Sequence, residues 1–365
     1  DVHVHHPTNK PEYKEYLLHL GKAEDVHIIN MLEMGHHFGI DFEVDGFGTE
    51  FRKCLENYCL ISGQEDPRSE LGHIIGLNIS KLVRDTSNYY YYDLVFEKLH
   101  LQPGALVGYA HFAWKGFDQG FPWQITTNEI DFVELLQALR LNTADYYDYL
   151  NLGFKITAAA GSDFPWASTI GDVRTFVYTG KKFSIDNWFA ALKAGNTYVS
   201  NGPAIFFKAG GKMPGTIMNL KGTKIREKLH VTALSNPAIG IIDRVAIYNN
   251  EGLVIEADNP QKLDSVSIDF THTITESQWI AAVVYCNNGA VAHTTPVYLV
   301  MNGQPTYSKK KAPKIIEKQI AFIEKMRKSE SIWLLKKEPD KGILERLDKA
   351  NLFYVKLLED IKKSK

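Results

Sequence analysis

Short apolar runs alternate with helix-like segments from Asp1 to about Asn201. Strands separated by helices are typical of a parallel sheet or a barrel. Barrels of this kind carry their chemistry on the loops that follow the strands. The sequence therefore predicts an α/β domain over residues 1–205. Its strand-like runs are 26–31, 59–62, 73–78, 105–110, 132–136 and 156–160, with helical patterns at 144–152 and 185–193.

Two further regions are predicted after this domain. Residues 206–307 contain short β-rich runs separated by turn signals such as 249–252, a pattern typical of a small antiparallel β-sandwich. Residues 308–365 place apolar side chains at helical spacing, which predicts two helices separated at Glu338-Pro339-Asp340.

The composition is that of an ordinary globular chain and argues against two classes of partner. Of the 365 residues, 44% are hydrophobic and 23% are charged. The formal net charge of -2 gives no strong attraction to nucleic acid or to an anionic membrane. No apolar run approaches the roughly 18 residues of a membrane-spanning helix. We therefore expect a small-molecule substrate, with neither a nucleic-acid partner nor a membrane span.

The cysteines and the amino terminus bear on the compartment. Three cysteines leave an odd thiol, so a disulfide framework is not expected. Free thiols at Cys54 and Cys59 are favoured over a single bridge between them. The sequence shows no signal peptide. The chain is expected to be periplasmic or secreted if a leader has been removed, and cytoplasmic otherwise.

A pair of histidines near the start of the chain is the first metal-binding signal. Residues i and i+2 of a strand point to the same face, so His3 and His5 can converge on one cation. Neutral imidazole is a good ligand for zinc, manganese or iron. Taken alone, the pair is explained equally well as a chance pair on the surface.

Four later residues offer further ligands at strand ends. Glu65 closes one strand and His73 begins the next, while His111 ends an apolar strand. Asp163 leaves a strand of small residues. Each alone has an ordinary explanation, as a surface glutamate, an unrelated or buried histidine, or a helix N-cap. Together with the histidine pair they make six ligands, which suit two cations roughly 3.5–4 Å apart that share a bridging carboxylate. We interpret Glu65 as that bridge.

These motifs resemble, in order, the metal motifs of the PHP (polymerase and histidinol phosphatase) superfamily. The motifs are Asp1-Val2-His3-Val4-His5, Gly63-Gln64-Glu65, Gly72-His73-Ile74, Tyr109-Ala110-His111 and Gly161-Ser162-Asp163. Stretches 23–26, 170–174, 194–203 and 292–298 are similar to the CehA/McbA-type branch, which is named after enzymes that hydrolyse aryl carbamates. The resemblance covers residues 1 to about 305. It implies a distorted (β/α)7 barrel ahead of the β-sandwich and the helical tail, and it implies two divalent metal ions (zinc, manganese or iron).

Two positions depart from the family pattern. Many PHP proteins hold a third metal, partly through a histidine that ends the second strand and partly through the histidine of an Asp-x-His motif. Leu32 and Pro165 stand at the corresponding positions here. Neither side chain can bind a metal, so we expect two metals rather than three.

Several residues are candidates for roles around the metals. Asp163 is the candidate base that takes a proton from the metal-activated water, and Glu65 is the shared ligand. Arg174 is a candidate for holding an anionic group or an oxyanion, with a structural ion pair as the equal alternative. The candidate substrate-binding residues are His6, His37, Trp114, Asn201 and His293. Their alternatives are support of the metal ligands for His6, a solvated loop for His37, core packing for Trp114, and a tie between sandwich and barrel for Asn201 and His293.

Three functions are open at this point. The first is hydrolysis of a carbamate, amide or ester, with the aromatic stretch 112–123 as a wall for an apolar leaving group. The second is a phosphoesterase, for which the basic residues near the motifs are Arg68, Lys115 and Arg174. The third is a carbohydrate- or ligand-binding protein with a residual metal site. The six ligands favour a hydrolase, and the shortage of arginine within the motifs favours a carbonyl substrate.

Overall fold

The computed structural model describes residues 1–114, 119–180, 182–329, 338 and 340–363. The stretch 115–118, which includes Lys115, and Pro339 were part of the sequence predictions, and they lie outside the described residues. The α-helices are α1 (Pro11–Ala23), α2 (Tyr92–His100), α3 (Phe121–Gln124), α4 (Thr143–Asn151), α5 (Ile185–Lys193), α6 (Ala312–Met326) and α7 (Lys341–Lys363).

Within the described residues, the strands outnumber the helices and form three sheets. In the first half of the chain they are β1 (Ile28–His36), β2 (Gly39–Phe42), β3 (Lys53–Leu55), β4 (Tyr58–Ser69), β5 (Gly72–Leu77), β6 (Leu106–Tyr109), β7 (Phe132–Gln137), β8 (Arg140–Leu141), β9 (Thr157–Ala160), β10 (Arg174–Val177) and β11 (Thr197–Ser200). In the second half they are β12 (Ala204–Ala209), β13 (Ile217–Leu220), β14 (Ile225–Leu234), β15 (Ile242–Asn249), β16 (Gly252–Asp258), β17 (Ser265–Ile274), β18 (Gln278–Cys286), β19 (Val291–Thr294) and β20 (Val297–Met301).

The first sheet is mixed, and this overturns the predicted distorted (β/α)7 barrel. Its nine strands run in the order β2-β1-β4-β5-β6-β7-β8, with β3 on β4 and β9 on β7. Only the pairs β1–β4, β6–β7 and β7–β9 are parallel. Among the described residues, no regular alternation of seven strands with seven helices is found, because only five α-helices precede residue 205.

The prediction failed at a hairpin. The run expected to end at residue 62 continues as β4 through Ser69, and the chain then turns over two residues into antiparallel β5. Antiparallel strands need only a tight turn, whereas parallel neighbours need a crossover, usually a helix. The polar residues after 62 therefore lie within a strand rather than on a loop toward a helix.

The amino-terminal segment is inserted between β1 and the residues that follow β9. Val4 forms parallel bridges to Met31 and to Phe164. The Asp1 carboxylate accepts hydrogen bonds from the His3, Ser162 and Gly171 amides at 3.1, 3.0 and 2.9 Å. This segment is buried on both sides, which places His3 and His5 inside the molecule.

The other two sheets pack face to face. The eight-stranded sheet has the order β10-β11-β19-β18-β15-β16, with β20 on β18 and β13 on β20, and the three-stranded sheet has the order β12-β14-β17. Their facing side chains form one apolar core that includes Phe207, Val231, Ile247 and Leu299. This arrangement confirms the β-sandwich-like character. The strands β10 and β11 precede residue 205 but belong to the larger of these sheets.

The two tail helices pack against the first part of the chain. The Tyr354 hydroxyl in α7 donates to the Pro122 carbonyl at 2.6 Å, and Arg346 pairs with Asp93 at the start of α2. None of the helices in the described part of the chain has the length and apolarity needed to cross a membrane.

Cys54 and Cys59 form a disulfide, so the preference for free thiols was wrong. The two residues are direct partners across the short hairpin of β3 and β4. Cross-strand neighbours of this type bring their side chains together. The hairpin was not anticipated from the sequence. Cys286 is a buried free thiol.

Candidate metal centre

All six predicted ligands lie in one cluster, although they come from distant parts of the sequence. Each is within 4.0 Å of at least one other through a ring nitrogen or a carboxylate oxygen. The cluster consists of His3 and His5 in the amino-terminal segment, Glu65 in β4, His73 in β5, His111 after β6 and Asp163 after β9.

Glu65 lies at the centre of the cluster. Its Oε1 is 2.9 Å from His73 Nδ1, 3.3 Å from His111 Nε2 and 3.6 Å from His3 Nε2. Its Oε2 is 3.3 Å from His5 Nε2. Both carboxylate oxygens thus face imidazole nitrogens. Two ligand groups can hold a metal ion: His3, His5 and Asp163 form one, and His3, Glu65 and His111 form the other.

The hydrogen bonds on the outer side of two rings determine which nitrogen faces inward. His5 Nδ1 lies 3.0 Å from the Leu32 carbonyl, which can only accept. His3 Nδ1 lies 2.9 Å from the Glu134 carboxylate. With Nδ1 as the donor, a neutral ring keeps a lone pair on Nε2. The two Nε2 atoms are 2.9 Å apart. Two facing lone pairs at this distance repel unless a cation or a proton neutralises them, so the donor set is suited to a cation.

The charges of the cluster reinforce this preference. Burial alone would lower the pKa of His3, but the carboxylates of Glu134, Asp163 and Glu65 raise it well above its usual value. Burial alone would raise the pKa of Glu65, but His3 and His73 hold it well below its usual value. The buried Glu65 carboxylate therefore stays ionised and favours positive charge at the centre.

Two of the six ligands sit on left-handed backbone. His111 has φ 56° and Asp163 has φ 61°. Residues other than glycine adopt this conformation at a cost of about 1–3 kcal/mol, and such residues cluster at functional sites. The His111 amide donates to Glu134 Oε2 at 2.8 Å, and the Asp163 amide donates to the His3 carbonyl at 2.9 Å. The ligands are thus held through their backbone as well as their side chains.

The two departures from the family pattern lie in different surroundings. Leu32 is buried in an apolar cluster of the first sheet, and only its carbonyl contacts the centre, through His5. Pro165 is exposed on the segment after Asp163.

Four residues near the centre were missed by the sequence analysis. Glu134 and Gln137 in β7 contact His3 and His111. Phe42 and Trp166 have ring centroids 5.8 and 5.7 Å from that of His5. The detectable signal was Glu134, a charged residue inside an apolar strand, because a buried charge is nearly always paired. Trp166 is 62% exposed and follows Asp163 by only three residues.

Arg174 makes its contacts away from these ligands. Its Nε donates to the Gly171 carbonyl at 2.6 Å, and its guanidinium lies 3.6 Å from Glu24. These contacts agree with the structural alternative considered for it.

Three of the candidate substrate-binding residues contact other aromatic or cationic side chains. The His6 ring packs on Tyr13, and the His37 ring on Tyr90, with centroids 5.1 and 5.6 Å apart. The guanidinium of Arg140 lies 3.8 Å from the centre of the Trp114 ring. The Trp114 backbone amide also donates to the carbonyl of His111 at 2.7 Å, which links this residue to the cluster through the main chain.

The remaining two candidates hold β11 and β19 to neighbouring elements. The side-chain oxygen of Asn201 accepts a hydrogen bond from the Val291 amide at 2.7 Å, which ties the end of β11 to β19. His293 in β19 is fully buried, and its Nε2 lies 2.8 Å from the Tyr147 hydroxyl in α4.

His293 gives a prediction about the pH dependence of stability. Burial lowers the pKa of His293 to about 4, while the ordinary value is 6.5. Because the unfolded chain then binds the proton more readily, His293 should destabilise the fold as the pH falls from about 6.5 toward 4, by up to roughly 3 kcal/mol. We expect His293→Gln to reduce the loss of unfolding free energy between pH 7 and pH 4.5, measured by urea denaturation. His19→Gln, an exposed change in α1, is the control. Identical pH profiles for wild type and His293→Gln would contradict the prediction.

No protein-family profile matches the chain, and no curated protein matches it. Solved structures match short parts of it. Fibronectin(III)-like modules of CbhA from Clostridium thermocellum match at 12% identity and a TM-score of 0.20, over 29% of this chain and 51% of theirs, so the chain spans about half the length of that structure. The CARDB domain of PF1109 from Pyrococcus furiosus, solved in complex with di-metal ions, matches at 20% identity and a TM-score of 0.18, over 28% of this chain and 96% of that domain. Likeness at this level does not assign the chain to a family.

Proposed function

We propose that the chain is a divalent-metal-dependent hydrolase related to the CehA/McbA-type branch of the PHP superfamily. It cleaves a carbamate, amide or ester bond in a small-molecule substrate. The observation that supports this proposal is the convergence of four imidazoles and two carboxylates, with the outer nitrogens of His3 and His5 already committed to acceptors.

The six residues would hold two divalent ions, of zinc, manganese or iron. Such ions, when bound, lower the pKa of water and polarise a carbonyl oxygen. His3, His5 and Asp163 form one ligand group. His3, Glu65 and His111 form the other, so His3 belongs to both groups. The donor set is nitrogen and carboxylate oxygen without sulfur, which these metals accept.

Asp163 is the residue proposed to move the proton. Its side chain is 21% exposed, whereas those of His3, His5 and Glu65 are almost completely buried. Its Oδ1 lies 3.4 Å from His3 Nε2, so the carboxylate borders both the ligands and the solvent. A carboxylate in this position can accept a proton from the attacking water and return it to the leaving group.

The surface beside His5 favours an apolar substrate group. Phe42 and Trp166 pack edge to face, with centroids 5.7 Å apart, and both rings neighbour His5. An exposed tryptophan next to a polar centre provides a wall that can orient a substrate. Its position differs from the stretch 112–123, where Phe112 and Trp123 are core residues.

The basic residues considered for phosphate binding are already engaged. Arg68 Nε lies 3.0 Å from Glu65 Oε2, and its Nη1 lies 3.2 Å from Asp41. Arg174 pairs with Glu24. Lys115 lies outside the described residues. Recognition of phosphate normally uses a free bidentate guanidinium, so these contacts favour carbonyl over phosphoryl chemistry.

The proposal predicts metal-dependent turnover of a carbonyl substrate. Purified protein should be assayed after chelation and after addition of Zn²⁺, Mn²⁺ or Fe²⁺, with an activated ester, an aryl carbamate, a phosphomonoester and a phosphodiester. We expect hydrolysis of the ester or the carbamate only with metal. Asp163→Asn should lower kcat by about 10²–10⁴-fold, because it removes the proton acceptor.

The matched control is Asp269→Asn, an exposed aspartate in β17 whose side chain is 81% exposed. It should leave turnover unchanged. Faster cleavage of phosphodiesters than of any carbonyl substrate would replace the proposal with a phosphoesterase. A protein that holds metal but hydrolyses none of the four substrates would favour a binding role.

A further inference from the structure

Strand β7 contributes two polar side chains to the metal centre although it carries none of the six ligands. All of its residues are buried, and most are apolar. Glu134 is completely buried, and Gln137 nearly so. A buried carboxylate is unfavourable unless hydrogen bonds and opposite charge compensate it. The contacts of Glu134 and Gln137 therefore indicate what these residues do.

Each of these two residues contacts one histidine, and in both cases the contact is made to the Nδ1 atom of the ring. Glu134 Oε1 lies 2.9 Å from His3 Nδ1, and Gln137 Oε1 lies 3.0 Å from His111 Nδ1. The opposite nitrogen of each ring faces Glu65 Oε1, at 3.6 Å for His3 and 3.3 Å for His111. Glu134 Oε2 also accepts from the His111 amide at 2.8 Å, so one carboxylate contacts both ligands.

A bulge in β7 makes this double contact possible. In a regular strand, residues i and i+3 point to opposite faces. The register between β7 and β9 shifts here: Glu134 pairs with Ala159, but Leu136 pairs with Ala160, the next residue. The extra residue in β7 reverses the alternation, so Glu134 and Gln137 reach the same side of the strand. Bulges often redirect side chains beside active sites.

We propose that Glu134 and Gln137 are positioning residues that set the tautomer and the ring direction of His3 and His111. A neutral imidazole carries one proton, and an acceptor at Nδ1 keeps that proton on Nδ1. Each Nε2 then presents its lone pair to the centre. This inference rests on the metal binding of the proposed function. It adds that strand β7 determines how well His3 and His111 bind a metal ion.

The test measures metal binding rather than hydrolysis. Co²⁺ is added to wild type and variants, and its dissociation constant and visible absorption spectrum are recorded. We expect Gln137→Leu to weaken Co²⁺ binding about 10–100-fold, the usual effect of removing the acceptor behind a metal-bound histidine. Gln137→Glu keeps an acceptor oxygen at the same position and should restore the affinity.

Glu134→Gln tests the second contact at nearly constant volume. The amide can accept from only one of its two donors, His3 Nδ1 or the His111 amide, so Co²⁺ affinity should fall and the spectrum should change. Gln102→Leu is the matched control. Gln102 is also buried, but its side-chain oxygen accepts from the Ser80 and Lys81 amides at 2.7 and 3.0 Å. It should lower the melting temperature without changing the Co²⁺ spectrum.

The outcomes separate this inference from the proposed function. If wild type binds Co²⁺ and the β7 variants bind it with the same affinity and spectrum, the positioning role is overturned while the hydrolase proposal stands. If wild type binds no divalent metal, the proposed function and this inference both fail. If Glu134→Gln does not fold, the comparison of Gln137→Leu with Gln137→Glu decides, because loss without rescue contradicts the inference.

Discussion

We expect Glu65→Ala to remove both proposed metal ions and to reduce the proposed hydrolysis to background. The physical reason is the central position of Glu65: its two oxygens lie within 3.6 Å of ring nitrogens from four histidines. Alanine would leave the imidazoles without their shared carboxylate and would open a polar cavity among buried groups. Elemental analysis of the saturated wild type should give about two divalent ions per chain, and the variant should give close to none.

Two comparisons make this prediction specific. His111→Ala removes one ligand from one group and should mainly weaken the binding of one ion, because His3, His5 and Asp163 form a group without it. Glu65 lies outside that group too, but its Oε2 is 3.3 Å from His5 Nε2, so its loss should affect both ions. Glu256→Ala, a change in β16 beside Arg244, should leave the metal content and the activity unchanged. Full metal content in Glu65→Ala would show that the ligand assignment is wrong.

Gly161→Ala should damage the same centre without removing any ligand. A Cβ at Gly161 would lie 2.4 Å from Glu134 Oε1, 2.4 Å from His3 Cβ and 2.9 Å from the His3 amide nitrogen. Real Cβ atoms do not approach other atoms so closely, and both neighbours are completely buried. Overpacking of this kind typically costs about 1–3 kcal/mol. Since the clash separates His3 from Glu134, we also expect Co²⁺ affinity to fall at least about tenfold.

The matched control for this prediction is Gly46→Ala. A Cβ at Gly46 would have no heavy atom within 4 Å, so the substitution should change neither the stability nor the Co²⁺ affinity. Urea denaturation and Co²⁺ titration of both variants provide the measurements. Wild-type affinity in Gly161→Ala would mean that the contact between His3 and Glu134 does not matter for metal binding.

The six residues could be proposed as ligands from the sequence because their side-chain chemistry is distinctive within a few neighbouring residues. His3 and His5 share a face of an extended segment, and Glu65, His73 and Asp163 stand beside glycines and apolar runs that mark strands. Each ligand hypothesis needed only the ligand residue itself and its immediate neighbours in the sequence. The structure places these residues together in one cluster.

The supporting residues could not be predicted in the same way. The reach of Gln137 to His111 depends on the bulge in β7, and a bulge changes the alternation of a strand without leaving a clear mark in the sequence. Arg174 lies in a stretch that resembles the family, yet its contacts are with Gly171 and Glu24. Such contacts depend on long-range packing.

The fold was predicted less well than the clustering of the six residues, for a related reason. Apolar runs of four to six residues locate strands such as β6 and β9, but they do not show whether the next strand is parallel or antiparallel. The relative direction of two strands depends on the segment that joins them. The turn at Glu70 and Leu71 was not recognised, because the residues before it are polar although they belong to β4. The same oversight concealed the hairpin that brings Cys54 and Cys59 together.

The two strands that cross from the first half of the chain into the larger sheet of the sandwich have a consequence for how this chain can be divided. Val199 in β11 pairs with His293 in β19, and Thr197 and Thr295 bond to each other and to the backbone of Ala158 in β9. A chain cut near residue 205 would keep β11 but lose its partner, and it would expose an apolar sheet edge of the kind that recruits strands from other molecules. Versions of the chain that lack the sandwich would therefore be prone to aggregation.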